Sequence, residues 1–273
     1  MPSVLIVGVL PYDSGKTTLA TSLIEDAVER GIDIGVSKPV SAFNGWYQYE
    51  YLSKSVEAGL LMGEDAYRLH ESAKSSESIE IESPVTVLLF PPDPEKVGWR
   101  SSSYIALTYQ SQVTMIRVTS TTETKQYYVP ENLRRLTRPL KEEVKKLVSV
   151  VNPEPLNTSE IDELLITSRE KADECLNYIK RNHELTIVES YNNFAAPTKK
   201  SVDSDLVLAV APSKVAIFKG EDYRRALEVV SSIKEPWRVV TEDLLPLLHP
   251  VEVVEFGPGK IEGLFERVLQ VLD

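Results

Sequence analysis

The stretch that most restricts this chain lies near its start. There an apolar run from Val4 to Leu10, with Gly8 among it, leads into Pro11-Tyr12-Asp13-Ser14-Gly15-Lys16-Thr17-Thr18. An unbroken apolar run is the mark of a strand covered on both faces of a parallel sheet. Lys16 to Arg30 then places Leu19, Leu23, Ile24, Ala27 and Val28 on one helical face, and Gly31 stands where a helix stops. Ile32 to Val36 reads as a second strand, completing a βαβ unit with a right-handed crossover. A Gly-Lys-Thr sequence between such a strand and helix has a physical consequence. The main-chain N–H groups of Ser14 to Thr18 point at an anion, where the helix dipole also favours negative charge. Asp13, Ser14, Gly15, Lys16, Thr17 and Thr18 are thus the expected nucleotide-binding residues, with Lys16 on the β- and γ-phosphates and the Thr17 hydroxyl on Mg²⁺. The usual spacing puts a glycine at position 10, where this chain has Leu10, with Gly8 two residues earlier.

Two further residues belong with the loop. Leu185-Thr186-Ile187-Val188-Glu189 is an apolar strand with a carboxylate at its carboxyl end, suited to a metal's coordination shell or an attacking group. Lys38 follows the second strand, at the carboxyl edge where ligands bind in open α/β sheets, and is placed to hold an anionic substrate. A solvated loop lysine is the competing reading.

At this point the chain resembles a family. The phosphate loop followed by Lys38-Pro39-Val40 is similar to the dethiobiotin synthetase-like P-loop enzymes, a group with the ATP-dependent cobyrinate amide synthases and the N-terminal domain of some phosphotransacetylases. Glu64-Asp65-Ala66 resembles that family's Ser/Asn-Asp-Ala segment, and Val188-Glu189 its Val-Glu-Gly segment; each supplies a metal ligand there. The resemblance implies Thr17, Asp65 and Glu189 around Mg²⁺, with Lys16, Lys38 and Glu189 as the catalytic set. It extends over residues 1–90 and 184–273. The departures are specific. Ser190-Tyr191-Asn192-Asn193 stands where the family has a glycine-rich loop, and Val40-Ser41-Ala42-Phe43 replaces a run of small residues. Histidines only at 70, 183 and 249 and a single cysteine leave no glutaminase triad. Positions 10 to 12 lack the second lysine of the partitioning ATPases, and no Asn-Lys-x-Asp guanine box is seen, which favours ATP over GTP.

Elsewhere, the spacing predicts helices over 57–73, 140–150, 158–183, 223–233 and 261–272, and strands over 85–90, 206–211, 239–240 and 251–254. Period-two alternation in 103–119 and 124–129 predicts a small β-meander. Cys175 falls on the apolar stripe of the 158–183 helix, as a buried small hydrophobe would. The expected fold class is α/β: a doubly wound, mostly parallel P-loop NTPase sheet, one domain over 1–273 with a basic β-rich insertion at 96–150.

Charge bears on partners. Thirty Lys and Arg against 41 Asp and Glu give −11, which argues against a general binder of nucleic acid or anionic membrane. Residues 96–146, however, hold ten basic and four acidic side chains, a net +6 against −17 for the remainder, with Trp99, Tyr104, Tyr109, Tyr127 and Tyr128 interleaved. This segment either meets an anionic substrate or nucleic acid, or forms ordinary solvated faces with tyrosines packed across strands. One cysteine and no leader-like or membrane-spanning run point to the cytoplasm. The expected activity is Mg²⁺- and ATP-dependent activation of a small carboxylate or carbamate. Alternatives are a polynucleotide 5′-hydroxyl kinase, to whose loop Asp13 to Thr18 is also similar, and a nucleotide-dependent switch or assembly ATPase. Assembly as a homodimer stays open.

Overall fold

The computed structural model describes residues 1–257, 261 and 263–272. It is an α/β structure built on two sheets, neither closed into a barrel. The first sheet takes β1 (Ser3–Gly8), β2 (Ile34–Ser37), β8 (Leu185–Glu189), β9 (Leu206–Ala211), β10 (Lys214–Lys219) and β11 (Glu252–Glu255), in the order β11-β10-β9-β1-β8-β2. The four strands β9, β1, β8 and β2 are parallel, and β10 and β11 join antiparallel at one edge. The second sheet takes β3 (Val40–Asn44), β4 (Val85–Leu89), β5 (Val113–Thr119), β6 (Thr124–Tyr128) and β7 (Glu154–Pro155), in that order. Only Lys38 and Pro39 separate β2 of one sheet from β3 of the other.

The unbroken apolar run of β1 has its reason in the layers around it. Val4 and Ile6 face α1 (Lys16–Glu29) and α7 (Leu264–Leu272), in a core with Leu19, Leu23, Leu208 and Phe265. Leu5 and Val7 point the opposite way, among Leu176, Val188, Val207 and Tyr223, under α5 (Ile161–Asn182) and α6 (Gly220–Ser231). Because alternate residues of a strand face opposite sides, a strand covered on both has no polar position to spare. In the second sheet Phe43, Leu88 and Met115 pack under α2 (Tyr49–Ala58) and α4 (Arg138–Val151), while Val87, Ile116 and Val118 cluster with Ile161 at the start of α5.

Helix α5 therefore serves both sheets. Its first turn lies on the second, and Leu176 belongs to the core of the first. The approach to β2 is so close that a Cβ on Gly35 would fall 2.5 Å from Ile179 Cγ2. Cys175 is buried on this helix, 3.8 Å from the Thr119 carbonyl oxygen, and burial pushes its thiol up to about 12.

Several segments differ from expectation for identifiable reasons. The stretch 57–73 is two helices: α2 ends at Gly59, which takes φ 64°, and α3 (Glu64–Ala73) begins after an extended Gly63. In the alternating stretch 103–119 only Val113–Thr119 is a strand, while Ser101–Ile105 is a helical turn. The second sheet draws β3 and β4 from upstream of residue 96. Val240 makes only an isolated bridge with Phe194, and Lys214–Lys219, for which the spacing predicts no strand, forms β10 by folding back on β9. Arg117, counted among the basic side chains of 96–146, is completely buried. It donates to the carbonyls of Leu61 (2.7 Å), Ser83 (2.7 Å) and Glu80 (3.4 Å) and to the hydroxyls of Thr119 (2.8 Å) and Thr86 (2.9 Å). It is a structural post, not part of a basic surface. No helix among the described residues is long and apolar enough to cross a membrane.

Candidate functional site

The loop expected to hold phosphate runs from the end of β1 to the start of α1, and Val9 N–H to Val210 O (2.9 Å) ties it to β9. Gly15 at the helix cap takes φ 90°, a left-handed conformation that glycine adopts without a Cβ penalty. The glycine demanded by close packing is Gly8. A Cβ there would lie 2.5 Å from Ser14 Oγ, 2.9 Å from Lys16 Nζ and 3.0 Å from the Asn192 carbonyl oxygen. Lys16 thus folds back across the loop to the end of β1, with Nζ 3.3 Å from Ser14 Oγ. Leu10 is 40 % exposed at negative φ, so position 10 makes no such demand. Asp13 and Thr18 are exposed, and Ser14 is buried.

Three further segments meet the start of α1 at Thr17. Asp65 comes from the first turn of α3, Glu189 ends β8, and Lys38 follows β2, whose neighbour in the sheet is β8. The Thr17 hydroxyl lies 3.1 Å from Asp65 Oδ1 and 2.9 Å from Glu189 Oε1. Lys38 Nζ lies 2.8 Å from Asp65 Oδ2, 2.5 Å from Glu189 Oε1 and 3.1 Å from the Ser190 carbonyl oxygen. The loop residues, Lys38, Asp65 and Glu189 are therefore gathered at the carboxyl edge of the parallel strands.

The electrostatics follow from burial. Lys38 is 2 % exposed; desolvation alone would lower its ammonium, but Asp65 and Glu189 outweigh it and hold Lys38 above the ordinary lysine value. Burial raises the carboxyl of Asp65, and Lys38 and Thr17 overcome this to leave it below the usual carboxylate range. Glu189 is completely buried, which pushes its carboxyl up against the pull of Lys38. Burial and the neighbouring Lys38 together lower Lys16.

One hydroxyl has one proton, so Thr17 can donate to only one of its two carboxylates at a time. Glu189 Oε2 is also buried with no hydrogen-bond partner. Lys38 balances the charge of these carboxylates, but Glu189 Oε2 still lacks a donor, a place that a hard divalent cation would fill. Two carboxylates and a hydroxyl suit Mg²⁺, which takes one or two carboxylates and fills its shell with water and phosphate oxygens. Among the described residues no three His, Cys, Asp or Glu side chains cluster as a metal cage.

Two contacts here come from the main chain and leave no sequence signal: the Ser190 carbonyl on Lys38, and the Asn192 carbonyl beside Gly8. Asn192 takes φ 45° in the segment that replaces a glycine-rich loop. Asparagine tolerates that region better than most residues.

Helix α3 also carries His70, whose Nδ1 lies 2.8 Å from Glu82 Oε2, Glu82 being 3 % exposed. This hydrogen bond raises the imidazole above its ordinary value, against partial burial. A raised basic group contributes stability fully present below its unfolded pKa of about 6.5 and lost as pH rises through the folded value. Wild type is expected to melt above His70→Gln near pH 5.5, with the gap closing by about pH 9. Paired thermal melts across that range check it.

Comparison with protein-family models, curated proteins and solved structures finds no match to this chain.

Proposed function

We propose that this protein is an Mg²⁺- and ATP-dependent enzyme of P-loop NTPase type. In this reading it is dethiobiotin synthetase-like and activates a small carboxylate or carbamate by phosphoryl transfer. The observation that carries the reading is the convergence of Lys16, Thr17, Lys38, Asp65 and Glu189 at the mouth of a loop that opens a helix. In this chemistry the bond from the γ-phosphorus to the β,γ-bridging oxygen breaks, a bond to a substrate oxygen forms, and ADP leaves. The metal supplies neutralisation of phosphate charge when bound, through Thr17, Asp65 and Glu189.

The side chains divide the remaining work. Main-chain N–H groups at the start of α1 hold the phosphates, and Lys16 offsets charge on the transferred group. Lys38 here neutralises the two carboxylates that a divalent cation would otherwise satisfy. With those carboxylates engaged elsewhere, its ammonium is released to orient an anionic acceptor. Catalysis of this kind is positioning and charge neutralisation.

The test is ADP release against a panel of small carboxylates and amino acids, with 5′-hydroxyl RNA included. Stimulation by a small carboxylate is expected. In Lys38→Ala, ATP affinity should persist while the stimulated rate falls about 10²-fold or more. A melting curve separates this from the instability of leaving Glu189 buried without its partner. Equal loss of ATP affinity in Lys38→Ala and Lys16→Ala removes the acceptor role from Lys38. Stimulation by RNA alone favours the 5′-hydroxyl kinase reading, which gains support from exposed Trp46 and Tyr47 on a turn whose Gln48 donates to Glu64, the neighbour of Asp65. Nucleotide binding without stimulated turnover, with a stable protein complex, favours an assembly ATPase.

A further inference from the structure

The structure sorts the basic, aromatic stretch 96–146 into groups that face inward and groups that face out. Arg117 is in the core, and Lys145 and Lys146 are paired with Glu142 and Glu143 on their own helix. Arg100, Arg134, Arg135 and Arg138 are exposed and, among the described residues, make no side-chain hydrogen bond or ion pair.

These arginines lie beside a second segment that the sequence does not connect to them. The turn after β3 presents Trp46 (59 % exposed) and Tyr47 (80 % exposed). Gly45 N–H donates to Leu89 O (2.9 Å), and a Cβ on Gly45 would meet the Phe90 ring at 2.4 Å, so this turn is fixed against the end of β4. Tyr104 donates to the Pro92 carbonyl (3.1 Å), and its hydroxyl is near enough to Asp93 and Tyr47 to be raised by them as well as by desolvation. Asp93 N–H donates to Arg135 O (2.8 Å), and Lys96 Nζ bonds Arg134 O. Trp99, 74 % exposed, lies within this same connected segment. Of the local acids, Glu142 and Glu143 are paired with Lys145 and Lys146, Asp93 and Glu131 accept from the neutral Glu95 N–H and Thr158 hydroxyl, and Glu95 is exposed; against the last three stand Arg100, Arg134, Arg135, Arg138 and Lys96.

We propose that Trp46, Tyr47 and Trp99, with Arg100, Arg134 and Arg135, form a surface that binds single-stranded nucleic acid. Exposed flat rings interspersed with unpaired guanidinium groups match the two parts of such a ligand, unstacked bases and a phosphate chain. A duplex keeps its bases stacked on each other and offers the rings nothing. An interfacial membrane anchor uses one amphipathic helix with a continuous apolar face, whereas these groups come from a turn, a loop and the approach to α4. The surface adjoins the phosphate-loop site, since Gln48 in the aromatic turn donates to Glu64 (2.8 Å), the neighbour of Asp65. The proposal does not depend on the catalytic reading, because binding is measured with no nucleotide present.

The experiment is fluorescence anisotropy of labelled oligouridylate and oligothymidylate of about 12 nucleotides, titrated with the full chain. Saturable, salt-dependent binding is expected for one or both. Trp99→Ala should weaken it about 10-fold. Arg134→Ala with Arg135→Ala should weaken it and flatten the logarithmic salt slope by about 0.7 per arginine. These positions are at the surface, and Lys214→Ala, on β10 next to the edge strand of the first sheet, should bind as wild type does. No saturable binding at low salt overturns the proposal. So does equal affinity for duplex, indifference to the Trp99 and arginine variants, or binding confined to phosphatidylserine-containing vesicles.

Discussion

Lys16→Ala is expected to lower ATP-dependent turnover by about 10²–10³-fold and to weaken ATP binding with it. The expectation rests on where the ammonium is held. It lies over the end of β1, near Ser14 Oγ, in a space open only because residue 8 has no Cβ. Burial and Lys38 lower its pKa, so an approaching polyphosphate gains a cation that is poorly solvated and short of partners. Lys16→Arg is expected to fail nearly as badly, since a planar guanidinium needs width where Gly8 and the Asn192 carbonyl leave little. Steady-state ADP release and equilibrium ATP binding measured on both variants check this. Wild-type turnover in Lys16→Ala would remove the phosphate-loop reading altogether.

Arg117→Met is expected to cost about 3–5 kcal/mol of folding stability. Methionine fills much of the volume but donates nothing, which strands the Leu61 and Ser83 carbonyls that the guanidinium now joins. Burial lowers the guanidinium to about 10, which leaves it charged at neutral pH. Arg117→Lys should recover only part of the loss, because an ammonium cannot span acceptors spread over β5, the Leu61 turn and the Ser83 turn. Urea denaturation of the three proteins gives the comparison. A loss below about 1 kcal/mol in Arg117→Met would mean the stranded carbonyls find other donors.

What could be read in the sequence was what is local. The strand before Gly8, the helix after Gly15 and the strand ending at Glu189 follow from patterns within a dozen residues, and the structure has all three. Lys38 and Glu189 could be placed at one edge because each stands at the carboxyl end of a strand, whereas Asp65 entered only through the resemblance, inside what reads as one helix over 57–73. What could not be read depends on partners far along the chain. The burial of Arg117 is decided by carbonyls 34 and 56 residues away. Gly8 is required by Lys16 and by a carbonyl at Asn192. Alternation in 103–119 was diluted by serines and tyrosines that form a helical turn instead, while the second sheet found two strands before residue 96.

The placement of α5 has a consequence for how freely this chain can be cut apart. Its first turn closes the core of the second sheet, and its later turns close that of the first. With two residues joining β2 to β3 at the other crossing, residues 40–160 are not a cassette that can be lifted out. Removing them would expose one side of α5 and displace Lys38 along with its neighbours. Denaturation should accordingly run as one transition rather than two, with fluorescence and circular dichroism reporting the same midpoint.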